Sequence, residues 1–85
     1  MHTILFFYSN SQSDLESSEE LGRLLGSVHG RNEDVVIYSF DVNLDSELIS
    51  GLKGRYFVQG PLEILIDEKV KVYHPRDVGE IEVYF

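Results

Sequence analysis

In this 85-residue sequence, the first side chains that could take part in a reaction lie at the end of the first apolar run. Ser13 follows that run in a polar loop, and as a nucleophile it would need a general base within hydrogen-bond reach. No such base is evident nearby, and no Gly-x-Ser-x-Gly turn is present. The simpler interpretation is that Ser13 caps a helix, which is worth about 1 kcal/mol. Tyr8, near the end of the apolar run, also has a reactive group, and its simplest interpretation is an aromatic side chain at the edge of a sheet.

The residue types that bind metals do not form a pattern here. The three histidines, His2, His29 and His74, share no spacing typical of metal ligands. Four carboxylates crowd the first turns of the expected helix, where a helix dipole favours negative charge, and they are typical of a solvated face: Asp14, Glu16, Glu19 and Glu20. The sequence has no cysteine, which excludes disulfides, iron-sulfur clusters and thiolate zinc sites. The sequence therefore predicts neither a metal nor a cofactor.

The composition narrows the class of partner. The formal net charge is -8, and the seven basic residues are scattered, which disfavours nucleic acid and anionic membranes. The start Met1-His2-Thr3 has no basic segment typical of a secretory signal, and no apolar stretch approaches the ~20 residues of a membrane span. Hydrophobic residues make up 42% of the chain, enough for a core. We therefore expect one cytoplasmic domain covering residues 1–85.

The first half of the chain predicts a strand, a helix and a second strand. Residues 3–9 are continuously apolar and aromatic, which is typical of a strand covered on both faces. Ser13 and Glu16 fit a capping box, with Gly30 as a terminator; the buried face of this helix is Leu21, Leu24, Leu25 and Val28. Residues 34–42 are rich in β-branched and aromatic side chains, which is typical of a central strand. Two strands joined by one helix should be parallel.

The second half predicts a short helix and a hairpin. Asp45 is a candidate cap for the helix, which would turn Leu48, Ile49 and Leu52 inward. Residues 62–66 and 69–73 form the two strands, with a turn at residues 67–68. In the second strand Val70 and Val72 alternate with Lys69, Lys71 and Tyr73, which predicts one apolar face and one face in solvent. After Pro75 the pattern fits a short helix capped by Asp77, and it fits a strand equally well.

Three segments carry a resemblance to a known superfamily. They are the strand end Phe6-Phe7-Tyr8-Ser9, the acidic strand end Phe40-Asp41-Val42-Asn43, and Val58-Gln59-Gly60-Pro61-Leu62. In that order they resemble the thioredoxin-like and glutaredoxin-like proteins. The resemblance implies an α/β fold, a three-layer sandwich around a four-stranded mixed sheet, in the order β-α-β-α-β-β-short α. It also favours a helical tail and implies a cis Gly60–Pro61 bond.

The sequence departs from this superfamily at its reactive centre. The two cysteine positions fall on Gln12 and Leu15 in one register, or on Ser13 and Glu16 in the other, which we prefer. Without a thiolate there is no disulfide exchange. Leu62 also stands where the superfamily has threonine. The chain therefore resembles members of the superfamily that have lost redox activity.

The resemblance implies a binding groove beside the proline, where such proteins hold extended peptide. Its rim would comprise Tyr8, Asn10, Ser11, Gln12, Ser13, Tyr56, Phe57, Gly60 and Pro61. We expect a redox-inactive module, chaperone-like or regulatory, that binds another protein or an extended peptide as a monomer or weak homodimer. The alternative is a fragment of a glutathione-transferase-type enzyme that binds glutathione or another thiol through Ser13 or Tyr8. A third hypothesis is a subunit that homodimerises through the edge at residues 69–73, which Lys69 and Lys71 disfavour.

Overall fold

One four-stranded sheet organises the fold. The computed structural model describes residues 1–44, 46–58 and 60–85, so the predicted cap at Asp45 and the residue Gln59 lie outside the described residues. The elements in chain order are β1 (His2–Tyr8), α1 (Leu15–Arg31), β2 (Val35–Asp41), α2 (Glu47–Tyr56), β3 (Glu63–Ile66), β4 (Val70–Tyr73) and α3 (Gly79–Glu82). The predicted α/β fold and element order are confirmed. None of the described helices is long and apolar enough to cross a membrane.

The strands lie in the order β2-β1-β3-β4, which is the thioredoxin-like topology. β1 pairs in parallel with β2, from His2 opposite Val35 to Tyr8 opposite Asp41. β1 pairs antiparallel with β3, and β3 with β4. The α1 crossover accounts for the parallel pair, whereas the two-residue turn at 67–68 accounts for the hairpin. This topology places the carboxyl end of β1 beside the start of β3.

The sheet is covered on both faces because its central strands alternate between two apolar clusters. Ile4 and Phe6 face α1 and α3, whereas Leu5 and Phe7 face the side of α2. The first cluster also contains Leu21, Leu25, Val28, Val35, Leu62, Ile64, Ile66 and Ile81. The second contains Val42, Val58 and Leu65, with Phe40, Leu52 and Tyr56 at its margin. The result is three layers, with α1 and α3 on one side and α2 on the other.

The predicted cap of α1 is wrong. Asp14, not Ser13, is the residue before the first helical position, and its side chain makes no capping hydrogen bond. The helix also continues through Gly30. It ends at Asn32, whose backbone N–H and side-chain amide both donate to the carbonyl of Val28. The sequence pattern therefore located the helix but misplaced both of its ends.

The short helix α2 turns a different face inward from the one predicted. Ser46 caps it, since its hydroxyl accepts the amide hydrogen of Leu48 at 3.2 Å. Ile49 is buried as expected and Leu52 is half-buried, but the side chain of Leu48 is 64% exposed. The inward position predicted for Leu48 is therefore wrong. A helix of this length over a narrow sheet buries a single stripe, and Leu48 lies beside that stripe.

The predicted cis bond before Pro61 is also wrong. Among the described residues no peptide bond is cis, so Gly60–Pro61 is trans. The trans form is the lower-energy state of an X-Pro bond by about 0.5–1 kcal/mol. The backbone instead changes direction at Leu62, which lies in the left-handed region at φ 72. The Leu62 N–H donates to the carbonyl of Phe7 at 2.8 Å, which joins this turn to β1.

The tail is helical, as the resemblance favoured. Asp77 accepts the amide hydrogen of Glu80, and the Glu80 carboxylate accepts those of Arg76 and Asp77. This reciprocal pattern is a capping box, and it holds the pKa of Glu80 below its usual range through the hydrogen bonds from Arg76 and Asp77. Ile81 is fully buried against the sheet. One buried side chain therefore docks the four-residue helix α3.

Candidate functional site

The loop between β1 and α1 is held by Ser9, a residue that the sequence did not single out. The Ser9 side chain is buried, and its hydroxyl accepts from the Asn43 amide at 2.6 Å and from the Ser11 N–H at 3.1 Å. It donates to the Ser11 hydroxyl at 3.0 Å, and the Ser9 N–H donates to the Ser18 hydroxyl at 3.2 Å. These bonds tie the loop to α1 and to the end of β2.

The other serines of the loop complete this network rather than form a reactive pair. The Ser11 hydroxyl donates to the Asp14 carboxylate at 2.8 Å and lies 3.4 Å from the Ser13 hydroxyl. Ser13 is exposed, and the side chain that it meets is another hydroxyl rather than a base. A nucleophile needs a base as its partner. The geometry of the loop therefore favours a structural role for these hydroxyls.

The residues predicted to form one groove line two different cavities. Tyr8 and Asn10 line a cavity of about 240 Å³ on the β2 side, together with Ser39. Gly60 and Pro61 line a different cavity of about 370 Å³ on the β3–β4 side. Ser11, Gln12 and Ser13 are exposed in the loop between them. The structure therefore does not bring Tyr8 and Gly60 to one cavity.

The cavity beside Gly60 has apolar and acidic residues in its walls. We call it the hairpin groove; its lining residues are Asp14, Gly60, Pro61, Leu62, Glu63 and Tyr73. A Cβ atom placed on Gly60 would meet nothing within 4 Å, so its backbone borders open space. The Tyr73 side chain is 69% exposed and lies edge-on to the His74 ring at 6.0 Å. Asp14 and the buried Glu63 are the acidic residues of its lining.

Tyr56 and Phe57, which were predicted for the rim of the groove, lie at the end of α2 on the face of the sheet to which Tyr73 points. Lys71 donates to the Phe57 carbonyl at 2.7 Å, and Lys71 and Tyr73 share one face of β4. The Phe57 side chain is 77% exposed. The Tyr56 hydroxyl donates to Glu68 at 2.7 Å, and this hydrogen bond raises the pKa of Tyr56. Phe57 therefore adds an exposed apolar surface on the side of Tyr73.

The histidines make separate local contacts. The His2 ring nitrogen lies 2.8 Å from the Asp67 carboxylate, and the ring stacks on Phe85 at 4.4 Å. The hydrogen bond from His2, with one from the Thr3 N–H, lowers the pKa of Asp67. Nδ1 of His29 lies 2.8 Å from the carbonyl of Val35, to which it must donate. Within the described ranges, no group of three histidine, aspartate or glutamate side chains is placed to hold a metal ion.

Sequence reasoning missed four of the residues that line the hairpin groove. Asp14 was assigned to the helix dipole, and Tyr73 to the exposed face of the hairpin. Leu62 and Glu63 were assigned to a strand, with Leu62 at the position where the superfamily has threonine. The alternation at residues 69–73 did predict that Tyr73 faces solvent, and its exposure confirms this. Its proximity to Asp14 depends on the antiparallel pairing of β1 with β3, and no local pattern encodes that contact.

Comparison with known proteins gives no relative from which residue roles could be transferred. No protein family, curated protein or solved structure matches this chain. The assignment of a functional surface therefore rests on the chain's own residues and their geometry.

Proposed function

We propose that this chain is a redox-inactive, thioredoxin-like protein-binding module, and that its hairpin groove binds an extended, basic segment of a partner protein. The observation that carries the proposal is the composition of the groove. It combines the open backbone of Gly60 with the exposed ring of Tyr73 and two carboxylates, Asp14 and Glu63. The proposed module is redox-inactive because disulfide exchange requires a thiolate and the sequence has no cysteine.

The shape of the groove fits an extended chain. Gly60 has no positive φ and no side chain, so a neighbouring backbone can approach it without obstruction. Pro61 has a backbone carbonyl but no N–H, so of these two residues only Gly60 has a backbone donor. Tyr73 supplies a rigid aromatic surface on which a proline ring or the aliphatic stem of a long side chain can pack. Backbone contact with alternating side-chain pockets is a recurring mode of peptide recognition.

The charge of the groove favours a basic ligand. Asp14 and Glu63 line it, and the whole chain carries a formal net charge of -8. A lysine or arginine of the ligand would lie near these carboxylates and over the face of Tyr73, where a cation is attracted to the ring. The overall field would also accelerate encounter with basic partners and slow encounter with acidic ones.

This proposal does not use the binding mode that depends on a cis proline, because the Gly60–Pro61 bond is trans. It rests on the groove as it stands between α1 and the hairpin. The enzymatic alternative has less support. Tyr8 borders the other cavity, and the Ser13 hydroxyl lies against another hydroxyl, so no observation favours a thiol-activating pair.

The proposal is tested with two synthetic peptide pools that differ at one central position, arginine in one and glutamate in the other. Binding to the labelled domain is followed by fluorescence polarisation at low ionic strength. We expect the arginine pool to bind at least about tenfold more tightly, which corresponds to about 1.4 kcal/mol. Equal binding by the two pools, or no binding at millimolar peptide, would show that the proposal is wrong.

A pair of variants locates the binding surface. Gly60→Trp places a large ring in the open space of the groove and should remove most of the affinity for the arginine pool. Gly51→Trp is the matched control, because Gly51 is an exposed helical position that also has open space around it. Both variants should retain the far-ultraviolet circular dichroism of the parent. If Gly51→Trp weakens binding as much as Gly60→Trp, the hairpin groove is not the site.

A further inference from the structure

The outer edge of β2 offers unpaired backbone groups. Of the described strands, β2 and β4 are the outer ones. The His2 N–H donates to the Asp34 carbonyl and the Val42 N–H to the Tyr8 carbonyl, so even-numbered residues of β2 direct their polar groups to β1. The odd-numbered residues, among them Ile37 and Ser39, therefore direct their N–H and C=O groups outward.

The outward residues at the two ends of β2 are already engaged, since the Asp41 carbonyl accepts from the Leu44 N–H. The Val35 N–H donates to the carbonyl of Asn32, and its C=O accepts from the ring of His29. The two central outward residues, Ile37 and Ser39, remain as a template for pairing with another strand.

The two sheet edges differ in how well they are protected. β2 is seven residues long and contains no lysine, arginine, proline or glycine. β4 is four residues long and carries Lys71. Short length and lysine are devices that keep an edge from pairing with other strands. β2 is therefore the edge suited to accept a strand, in contrast to the hairpin edge considered from sequence.

A groove runs along this edge between β2 and α1. Its two parts, of about 380 and 240 Å³, share Phe6 and Ser39. On the helix side, Gly22 and Gly26 lie one turn apart in the wall of the larger part. A Cβ atom on Gly26 would meet nothing within 4 Å, so a second helix could approach α1 closely there.

We propose that a second copy of this chain docks on this edge by antiparallel β2–β2 pairing centred on Tyr38. In that register Ile37 of each copy lies opposite Ser39 of the other, and the outward groups of both residues form four backbone hydrogen bonds. Tyr38 lies opposite Tyr38 of the second copy, and Val36 lies opposite Phe40. These are aromatic and β-branched pairs of the kind that stabilise sheets. No like charges meet within the pairing.

The helices fit the same two-fold arrangement. α1 packs on β1 and β2, so its axis lies about one strand spacing of 4.8 Å from the two-fold axis. The two copies of α1 would then be separated by about 10 Å, which is within the usual range for packed helices. Gly22 and Gly26 lie where the two helices would meet.

The charge pattern of α1, which forms one wall of the groove, favours a second copy as the occupant. Glu19 lines one end of the groove and His29 lines the other. A two-fold axis near Tyr38 places the Glu19 end of each copy against the His29 end of its mate. The acidic residues of the helix lie in its first half, and Arg23 and Arg31 follow them. Antiparallel self-association therefore pairs opposite charges, whereas parallel association would pair like charges.

The register is tested by disulfide formation, because the chain has no cysteine of its own. Opposed residues at a pair without hydrogen bonds have Cα atoms about 4.5 Å apart, which permits a disulfide. Tyr38→Cys should therefore cross-link to a covalent dimer under mild oxidation. Ser39→Cys is the control in the same strand: its Cα atom would lie roughly 8 Å from its mate, beyond disulfide reach. Cross-linking of Ser39→Cys as fast as Tyr38→Cys would overturn the proposed pairing.

Affinity is tested by sedimentation velocity with two charge-matched variants. Tyr38→Lys places two lysines face to face on the two-fold axis and should raise the dimer dissociation constant roughly ten- to thirtyfold. Tyr73→Lys makes the same charge change on the other outer strand and should leave self-association unchanged. Gly26→Leu should also weaken the dimer, whereas Gly51→Leu should not.

These variants separate the dimer from peptide binding. Tyr38→Lys should leave binding of the arginine pool intact, whereas Tyr73→Lys should weaken it, since Tyr73 lines the hairpin groove. A protein that stays monomeric up to ~1 mM would overturn the dimer proposal. So would a strand peptide from another protein that binds β2 while no self-association is found.

Discussion

Replacement of Ser9 by alanine tests whether this residue, rather than Ser13, holds the loop at the start of α1. The Ser9 hydroxyl makes three hydrogen bonds, two with Ser11 and one with Asn43. Each is worth about 0.5–1.5 kcal/mol net. Ser11 and Asn43 are exposed, so water can replace part of the loss. We expect Ser9→Ala to lower the free energy of unfolding by about 2 kcal/mol.

The matched substitution is Ser13→Ala. The Ser13 hydroxyl is exposed and makes one long contact, 3.4 Å to Ser11, so its loss should cost less than about 0.5 kcal/mol. A helix-capping serine would instead cost about 1 kcal/mol.

Urea unfolding followed by circular dichroism measures both variants against the parent. For a chain of this length, a change of about 2 kcal/mol corresponds to a fall in Tm of about 8–16 °C. If Ser13→Ala is the more destabilising variant, the loop is organised by a helix cap and the Ser9 network is wrong.

Two further predictions concern the short helix α3 and the contact between Asp67 and the start of β1. Ile81→Ala should destabilise the fold by about 2–4 kcal/mol because Ile81 is fully buried, whereas Val83→Ala at a 71% exposed position should stay within about 0.5 kcal/mol; equal effects in urea unfolding would show that α3 is not docked. Asp67 has its pKa lowered by the hydrogen bonds from His2 and Thr3. Its stabilising effect should therefore be complete above the ordinary pKa of about 4 and be lost as the pH falls through the lowered value. Asp67→Asn should be less stable than the parent at neutral pH and approach it in acid, and a difference that stays constant with pH would contradict this.

The sequence predicted the layers of the fold well because apolar periodicity reflects burial directly. The continuous apolar run at residues 3–9 predicted β1 in the sheet interior, and the alternation at residues 69–73 predicted the half-exposed β4. The run at residues 34–42 predicted a strand correctly, but its expected central position is wrong, because β2 is an outer strand and Tyr38 is exposed. The spacing of Leu21, Leu25 and Val28 predicted the buried face of α1. These features depend on neighbours within one or two turns, which is the range that a local pattern covers.

Features that depend on contacts between distant residues were not predictable in the same way. Ser13 fits the sequence pattern of a helix cap. In the structure, however, the Ser11 hydroxyl donates a hydrogen bond to the Asp14 carboxylate, and the helix begins after Asp14. The role of Ser9 depends on Asn43, which is 34 residues away in the chain. The bond before Pro61 was inferred from resemblance rather than from the residues themselves.

The candidate site shows the same division. Gly60, Pro61 and the loop residues came from resemblance, and the structure keeps Gly60 and Pro61 in one groove while Tyr8 and Asn10 line another. The acidic and aromatic walls of the hairpin groove arise only when the first turn of α1 and the hairpin are brought together. Likewise, β2 has an unprotected edge because the strand order places it on the outside of the sheet. If the same strand lay in the middle of a sheet, both of its edges would be paired.

The most direct test of the central claim is a map of backbone amide shifts during titration with an arginine-containing peptide selected from the pool. The largest shifts should lie at the residues that line the hairpin groove and have an amide hydrogen, which are Asp14, Gly60, Leu62, Glu63 and Tyr73. Shifts confined to the edge of β2, or spread evenly over the acidic surface, would contradict it.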